Sequence, residues 1–168
     1  MKEAFFSFFS LPGDVYLRIF ISAVVGFLIG YERTSKNKPA GIRTYSFVCM
    51  GSTLVMIISI YGVEQVVGSL TLPKQSNVVQ DPMRLASQVV SGLGFLGGGL
   101  ILKYGKNIKG LTSAAQLWAT GMIGLAIGAN LLDVVLMVMV AMYLVIKISS
   151  YLEKRGFLPH KTEEEEHD

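Results

Sequence analysis

RLASQVVSGLGFLGGGLIL, residues 84–102, is long enough to cross a bilayer, yet it carries five glycines and Gln88, with Asp81 and Arg84 at its mouth. As a soluble core helix this would be a poor design. In a membrane it has a meaning, because small residues let helices touch backbone to backbone and polar groups persist there only when they are paired. Comparable apolar stretches run over Val15–Tyr31, Tyr45–Val63, Leu111–Leu131 and Val134–Ile148, each near the length needed to span roughly 30 Å of hydrocarbon. The pattern predicts an all-α integral membrane bundle of five transmembrane helices.

Composition agrees. A mean hydropathy of +0.50 with only 16% charged residues leaves little polar surface for water. The chain divides into one membrane domain, residues 1–151, and a charged tail, residues 152–168, that ends HKTEEEEHD and is too short and polar to fold alone. The opening MKEAFFSFFSLPG suits a segment lying at the lipid interface. Glu3 and Asp14 precede the first span, and Glu32-Arg33 stands where a signal cleavage site would need small residues, so the span is read as retained. Cys49 is the only cysteine, so neither an intrachain disulfide nor a cysteine metal cluster is available.

Charge sets the orientation. With the N-terminus outside, eleven cations (Arg33, Lys36, Lys38, Arg43, Lys103, Lys106, Lys109, Lys147, Lys154, Arg155 and Lys161) lie within, and four (Lys2, Arg18, Lys74 and Arg84) lie outside. Positive residues collect in cytoplasmic loops, so the reading is N-out and C-in. No recognition motif or aromatic platform accompanies the basic loops, so nucleic acid is not an expected partner.

Gly92-Leu93-Gly94-Phe95-Leu96-Gly97 satisfies G-x-G-x-x-G, but a dinucleotide fingerprint belongs between a strand and a helix. Here it lies within a span, and two readings stay open: helix packing through Gly92, Gly94, Gly97, Gly98 and Gly99, or a break that exposes backbone groups to a solute. In the first span Gly26 and Gly30 share a face and predict a close helix contact. Arg84, Gln88, Ser91 and Phe95 recur at helical spacing in the third span, as do Thr112, Gln116, Thr120, Gly124 and Gly128 in the fourth. Both faces are expected to point inward, where the glutamines either bond a neighbouring helix or line a path.

The charged candidates are Glu32, Arg33, Arg43, Asp81 and Arg84. An acid beside a basic loop adds nothing to topology, so Glu32 is expected to pair with Arg33 or Arg43, as a structural ion pair or as part of a functional site. Asp81, Arg84 and Gln88 are expected to form one polar cluster with neighbouring spans. The spans hold no acidic pair and no His/Cys set for a metal, and both histidines lie in the tail, so neither a metal site, a cofactor nor enzymatic activity is expected.

The motifs GxxxGYER (Gly26–Arg33), KPAGIRT (Lys38–Thr44), DPxRxASQVVSGLGFLGGG (Asp81–Gly99) and KGLTSAAQLWATGMIGLAIG (Lys109–Gly128) together resemble the membrane domain of the MgtC/SapB family. The resemblance implies a multi-pass protein of the bacterial inner membrane, linked to low-magnesium adaptation, growth inside host cells or acid stress. Longer members carry a cytoplasmic C-terminal domain that is not expected here, so its regulatory role is not carried over. Some members are labelled as components of a magnesium-transport ATPase, but no phosphate-binding loop or aspartyl-phosphate site appears in this chain. The preferred expectation is modulation of a membrane partner or of ion homeostasis, with the lipid bilayer, another membrane protein or a second copy as partners. The alternatives are an ion or solute transporter lined by the third and fourth helices, and a structural subunit of a larger complex.

The orientation is testable with single cysteines in a Cys49→Ala background. A cysteine at Lys74 is expected to react with an impermeant thiol reagent on intact cells, and cysteines at Lys36 and Lys106 to be protected; the reverse pattern would overturn the assignment.

Overall fold

The computed structural model describes residues 11–69, 81–105 and 107–155. The order is α1 (Gly13–Ser35), α2 (Ile42–Ser69), α3 (Pro82–Gly98), β1 (Leu102–Tyr104), β2 (Asn107–Lys109), α4 (Leu111–Gly128) and α5 (Leu132–Lys154). Four helices contain segments long and apolar enough to cross a membrane: Gly13–Ser35, Ile42–Gly62, Leu111–Gly128 and Leu132–Lys154. With 17 residues, α3 spans about 25 Å at 1.5 Å per residue. Two compact units result, Met1–Leu131 and Leu132–Asp168. The interfacial segment, most of the outer loop, Lys106 and nearly all of the charged tail lie outside the described residues.

Local chemistry sets the helix ends. The α1 helix begins after Pro12 with no side-chain cap; Asp14, one residue inside, pairs with Arg18 one turn on instead of capping. At its other end Arg33 O accepts the N–H groups of Lys36 (3.2 Å) and Lys38 (3.1 Å), while Asn37 takes a positive φ of 51° and turns the chain. Thr34 Oγ1 then accepts the Ile42 N–H at 3.0 Å, tying the end of α1 to the start of α2. Asp81 caps α3 by accepting the Met83 N–H at 3.0 Å, and Pro82 fills the first helical position, where no N–H is needed. Between α3 and α4 the chain forms a two-stranded antiparallel hairpin, pairing Leu102 with Lys109 and Tyr104 with Asn107. Gly110 leaves it at φ +89°, with the Leu100 carbonyl lying where a side chain would begin.

The core of the first unit is α2, held between α1 and α4 by glycines. A Cβ at Gly26 would lie 2.6 Å from Ser46 Cα, and one at Gly30 would lie 2.6 Å from Ile42 Cα. Further along α2, and sharing Cys49 with Gly26, a Cβ at Gly124 would strike the Cys49 carbonyl, and one at Gly128 would lie 2.8 Å from Thr53 O. Thr53 Oγ1 donates to Gly124 O at 2.8 Å, so the approach is bonded as well as close. Without a hydrophobic force between helices in lipid, this backbone contact is what dispersion and hydrogen bonding act through.

The third helix corrects the inward-facing expectation. Its buried stripe is Ala86, Leu93 and Gly97, which at 3.6 residues per turn lies about 140–200° from Arg84, Gln88, Ser91 and Phe95. The latter four are exposed. A Cβ at Gly92, Gly94 or Gly98 would meet nothing within 4 Å, so they are not helix contacts in this chain, whereas one at Gly97 would lie 3.6–3.7 Å from Ala114. The reason lies across the interface. Gly121 leaves the hollow that the Leu93 side chain fills, and a branched leucine in a hollow outweighs a polar stripe that would be left without partners inside. Nor do the glycines break the helix midway; it runs unbroken to Gly98 and ends there.

This packing predicts opposite outcomes for similar changes. Gly124→Ala and Gly26→Ala are expected to destabilise the bundle by about 1–3 kcal/mol, the usual cost of overpacking, whereas Gly94→Ala, within open space and in a helix, should be neutral or slightly stabilising. Thermal unfolding in detergent measures the difference, and equal shifts for Gly94 and Gly124 would refute the packing.

Candidate functional site

Two arginines on α1, at opposite ends of the bundle, are both 5% exposed. Their surroundings differ. Arg18 pairs with the half-exposed Asp14 carboxylate and donates to Gly128 O at 2.9 Å. Its second terminal nitrogen also reaches Tyr61 Oη at 3.5 Å. Gly128 closes α4, so this cation rests against the negative end of a helix and beside an acid, both stabilising.

Arg33 has neither. Its Nη2 donates to Ser113 Oγ, a hydroxyl in the first turn of α4 that is itself 3% exposed. Tyr45, fully buried, donates its hydroxyl to Ser113 O at 3.2 Å and lies in contact with the Arg33 side chain. Arg33 Nε is buried with no hydrogen-bond partner, as are Arg18 Nε and, one turn beyond Ser113, Gln116 Oε1. Among the described residues no carboxylate pairs with Arg33. Desolvating an ion costs on the order of several kcal/mol, and neutral hydroxyls offset only part of that.

The expected partner is turned away. Glu32 bonds Lys36 at 2.6 Å on the exposed side of the last turn of α1, so it pairs with neither Arg33 nor Arg43, and Arg43 is exposed. The reason is helical spacing: Glu32 and Lys36 are four apart and share a face, while Arg33, 100° further round, points at α4. Asp81, Arg84 and Gln88 do not form a cluster with neighbouring spans; Asp81 caps α3, and all three are exposed. On α4, Thr120, Gly124 and Gly128 are buried while Thr112 is exposed, and Thr120 Oγ1 returns to Gln116 O at 2.7 Å, within its own helix. Here the buried stripe begins one residue later than expected, at Ser113.

Arg18, Tyr45 and Ser113 were not singled out by the sequence reading. The i,i+4 spacing of Asp14 and Arg18 was a usable signal for the first. Nothing local distinguishes Ser113 from Thr112, since only the rotation of α4 decides which hydroxyl is buried. Beside this network, Leu117 packs with Tyr45 and Ala40 and also lines an open groove of about 480 Å³ with Thr44, Phe95, Leu96 and Gly98–Leu100. Thr44 supplies its one side-chain hydroxyl.

The MgtC family model matches residues 19–155, a range that contains both ends of the glycine-packed core and the Arg33 network. The chain belongs to the MgtC family. This MgtC-family chain is 42% identical over 123 residues to the Escherichia coli K12 protein described as putative magnesium transporter YhiD, covering 73% of the chain and 54% of that protein. It is 37% identical over 118 residues to protein SapB of Bacillus subtilis, covering 70% and 48%, and 38% identical over 110 residues to protein MgtC of Brucella abortus, covering 66% and 40%. The match thus spans about half the length of these relatives. No solved structure matches the chain. Family and helices together make it a membrane protein.

Two substitutions test this geometry by thermal unfolding. Glu32→Gln is expected to change stability by no more than about 0.5 kcal/mol, because its ion pair is solvent-exposed. Tyr45→Phe should cost about 1 kcal/mol through the lost buried hydrogen bond. A larger effect at Glu32 than at Tyr45 would place the acid in the network after all.

Proposed function

We propose that this chain is a bacterial inner-membrane protein, N-out and C-in with five spans, that serves magnesium and ion homeostasis or acid-stress adaptation by acting on a membrane partner. It does so without enzymatic activity of its own. The observation that carries this reading is the outward face of α3, where Arg84, Gln88 and Ser91 are exposed beside Gly92, Gly94 and Gly98, each open to at least 4 Å. A polar face on a spanning helix is costly in hydrocarbon unless another protein satisfies it, and the open glycines allow that protein's backbone to approach. A partner helix or a second copy meets both needs.

Transport is the second reading, favoured by the description of the Escherichia coli relative as a putative magnesium transporter. The groove between α2, α3 and α4 is the candidate route, but its lining offers a single hydroxyl, Thr44. Magnesium demands octahedral oxygen ligation and sheds water reluctantly. The closely packed contacts of α2 with α1 and α4 also argue for a bundle that holds a surface in place, not one that opens around a solute.

Purified protein in proteoliposomes is expected to move magnesium no faster than empty vesicles. In cells lacking the resident family member, Gln88→Leu and Gly94→Leu should insert and melt like the parent yet lose at least tenfold in restoring growth at low magnesium. Protein-dependent magnesium flux, with both variants fully active in growth, would favour transport.

A further inference from the structure

Arg33 is a cation with an unfinished set of partners. It is 5% exposed, its Nε is buried and unbonded, and its Nη2 is directed to Ser113 in the first turn of α4. The carbonyls that close its own helix are already taken: Arg33 O by Lys36 and Lys38, and Thr34 O by Asn37. At the other end of the bundle Arg18, whose Nε is also unbonded, has a carboxylate and a helix C-terminus to offset its charge. Arg33, in the last turn of its own helix, has no paired carboxylate among the described residues and faces the N-terminus of α4, which repels a cation and attracts an anion.

That N-terminus is itself incomplete. Gly110 provides no side-chain cap, and the first backbone bond of the helix is from Ala114 N–H to Gly110 O at 2.9 Å. The N–H groups of Leu111, Thr112 and Ser113 therefore lack the acceptor that a capping side chain would supply. Within residues 13–131 the described cations at this end are Lys36, Lys38, Arg43, Lys103 and Lys109, against one described acid, Glu32, which Lys36 holds. Guanidinium, free helix amides and a positive surround are the parts that bind oxyanions elsewhere.

We infer that a phosphate-type oxyanion, either free phosphate or the phosphate of a lipid headgroup, binds between Arg33 and the first turn of α4. The anion accepts from Arg33 Nε and from the unbonded amides, and the Ser113 hydroxyl, now an acceptor for Arg33, is free to donate its own proton to it. Binding joins the end of α1 to the start of α4 and so stabilises the end of the bundle where the hairpin emerges. This inference does not depend on whether the protein acts on a partner or transports a solute.

The test is thermal unfolding of the full chain in a phosphate-free maltoside detergent, with inorganic phosphate compared against chloride at equal ionic strength. Near-saturating phosphate is expected to raise the midpoint of the parent protein by roughly 5 °C. Arg33→Gln should lose that rise while Arg155→Gln keeps it. Arg33→Lys, which preserves the charge but not the planar fork, should need about tenfold more phosphate; it also serves if the glutamine variant does not fold. A parallel arm measures phosphatidylglycerol retained through purification by native mass spectrometry. Retention lost in Arg33→Gln, with no response to inorganic phosphate, assigns the oxyanion to lipid and upholds the site. Equal responses in the parent and in either Arg33 variant, or no response in both arms, would overturn it.

Discussion

The approach of α2 to the glycines of α1 and α4 governs everything else in the first unit. Gly26 and Gly30 admit the α2 backbone between Ile42 and Cys49, Gly124 and Gly128 between Cys49 and Met56, at separations that leave no room for a Cβ. Such contacts leave little freedom of rotation, since turning α4 by one residue would replace Gly124 with a branched neighbour against the Cys49 carbonyl. Rotation of α4 then decides which of its hydroxyls is internal, and the answer is Ser113 and Thr120. The same rotation presents Gly121 to α3, which brings Leu93 inward and turns the polar stripe of that helix outward. A functional surface on one helix is thus a consequence of backbone packing on another.

The two arginines of α1 show how differently a fold can treat one residue type. Arg18 lies where a carboxylate, a carbonyl and a helix C-terminus converge, which offset the burial of its charge although its Nε is also unbonded. Arg33 lies against neutral hydroxyls at a helix N-terminus, with one donor buried and unused. Stability alone does not account for such a group, because a well-packed apolar side chain of similar volume is often at least as favourable in a buried position. Groups held at a cost to stability are expected where binding or regulation needs them.

Helix count, element type and membrane character were legible because they rest on local properties: apolar runs of spanning length, few charges and punctuation at Pro12, Gly41, Pro82 and Gly110. The Asp81 cap was legible too, as an acid one residue before a proline and an apolar run. The hairpin at Leu102–Lys109 was not, since two strands of three residues each carry too little alternation to separate strand from loop. The expected pairing of Glu32 with Arg33 or Arg43 treated nearness in sequence as contact, whereas one residue along a helix turns a side chain by about 100°.

The amino-acid order by itself determined that this chain is a bundle of apolar helices and which charges sit near helix ends, because each follows from periodicity and composition within a single segment. Only the tertiary structure decided which glycines are contacts and which are open. Gly97 and Gly98 are adjacent in sequence and alike in chemistry, yet one packs on Ala114 and the other meets nothing within 4 Å. A glycine has no side chain to state a preference, so its role depends on what the neighbouring helix brings to it. The same holds for Arg33, whose charge is written in the sequence but whose lack of a counter-charge is a property of three helices together.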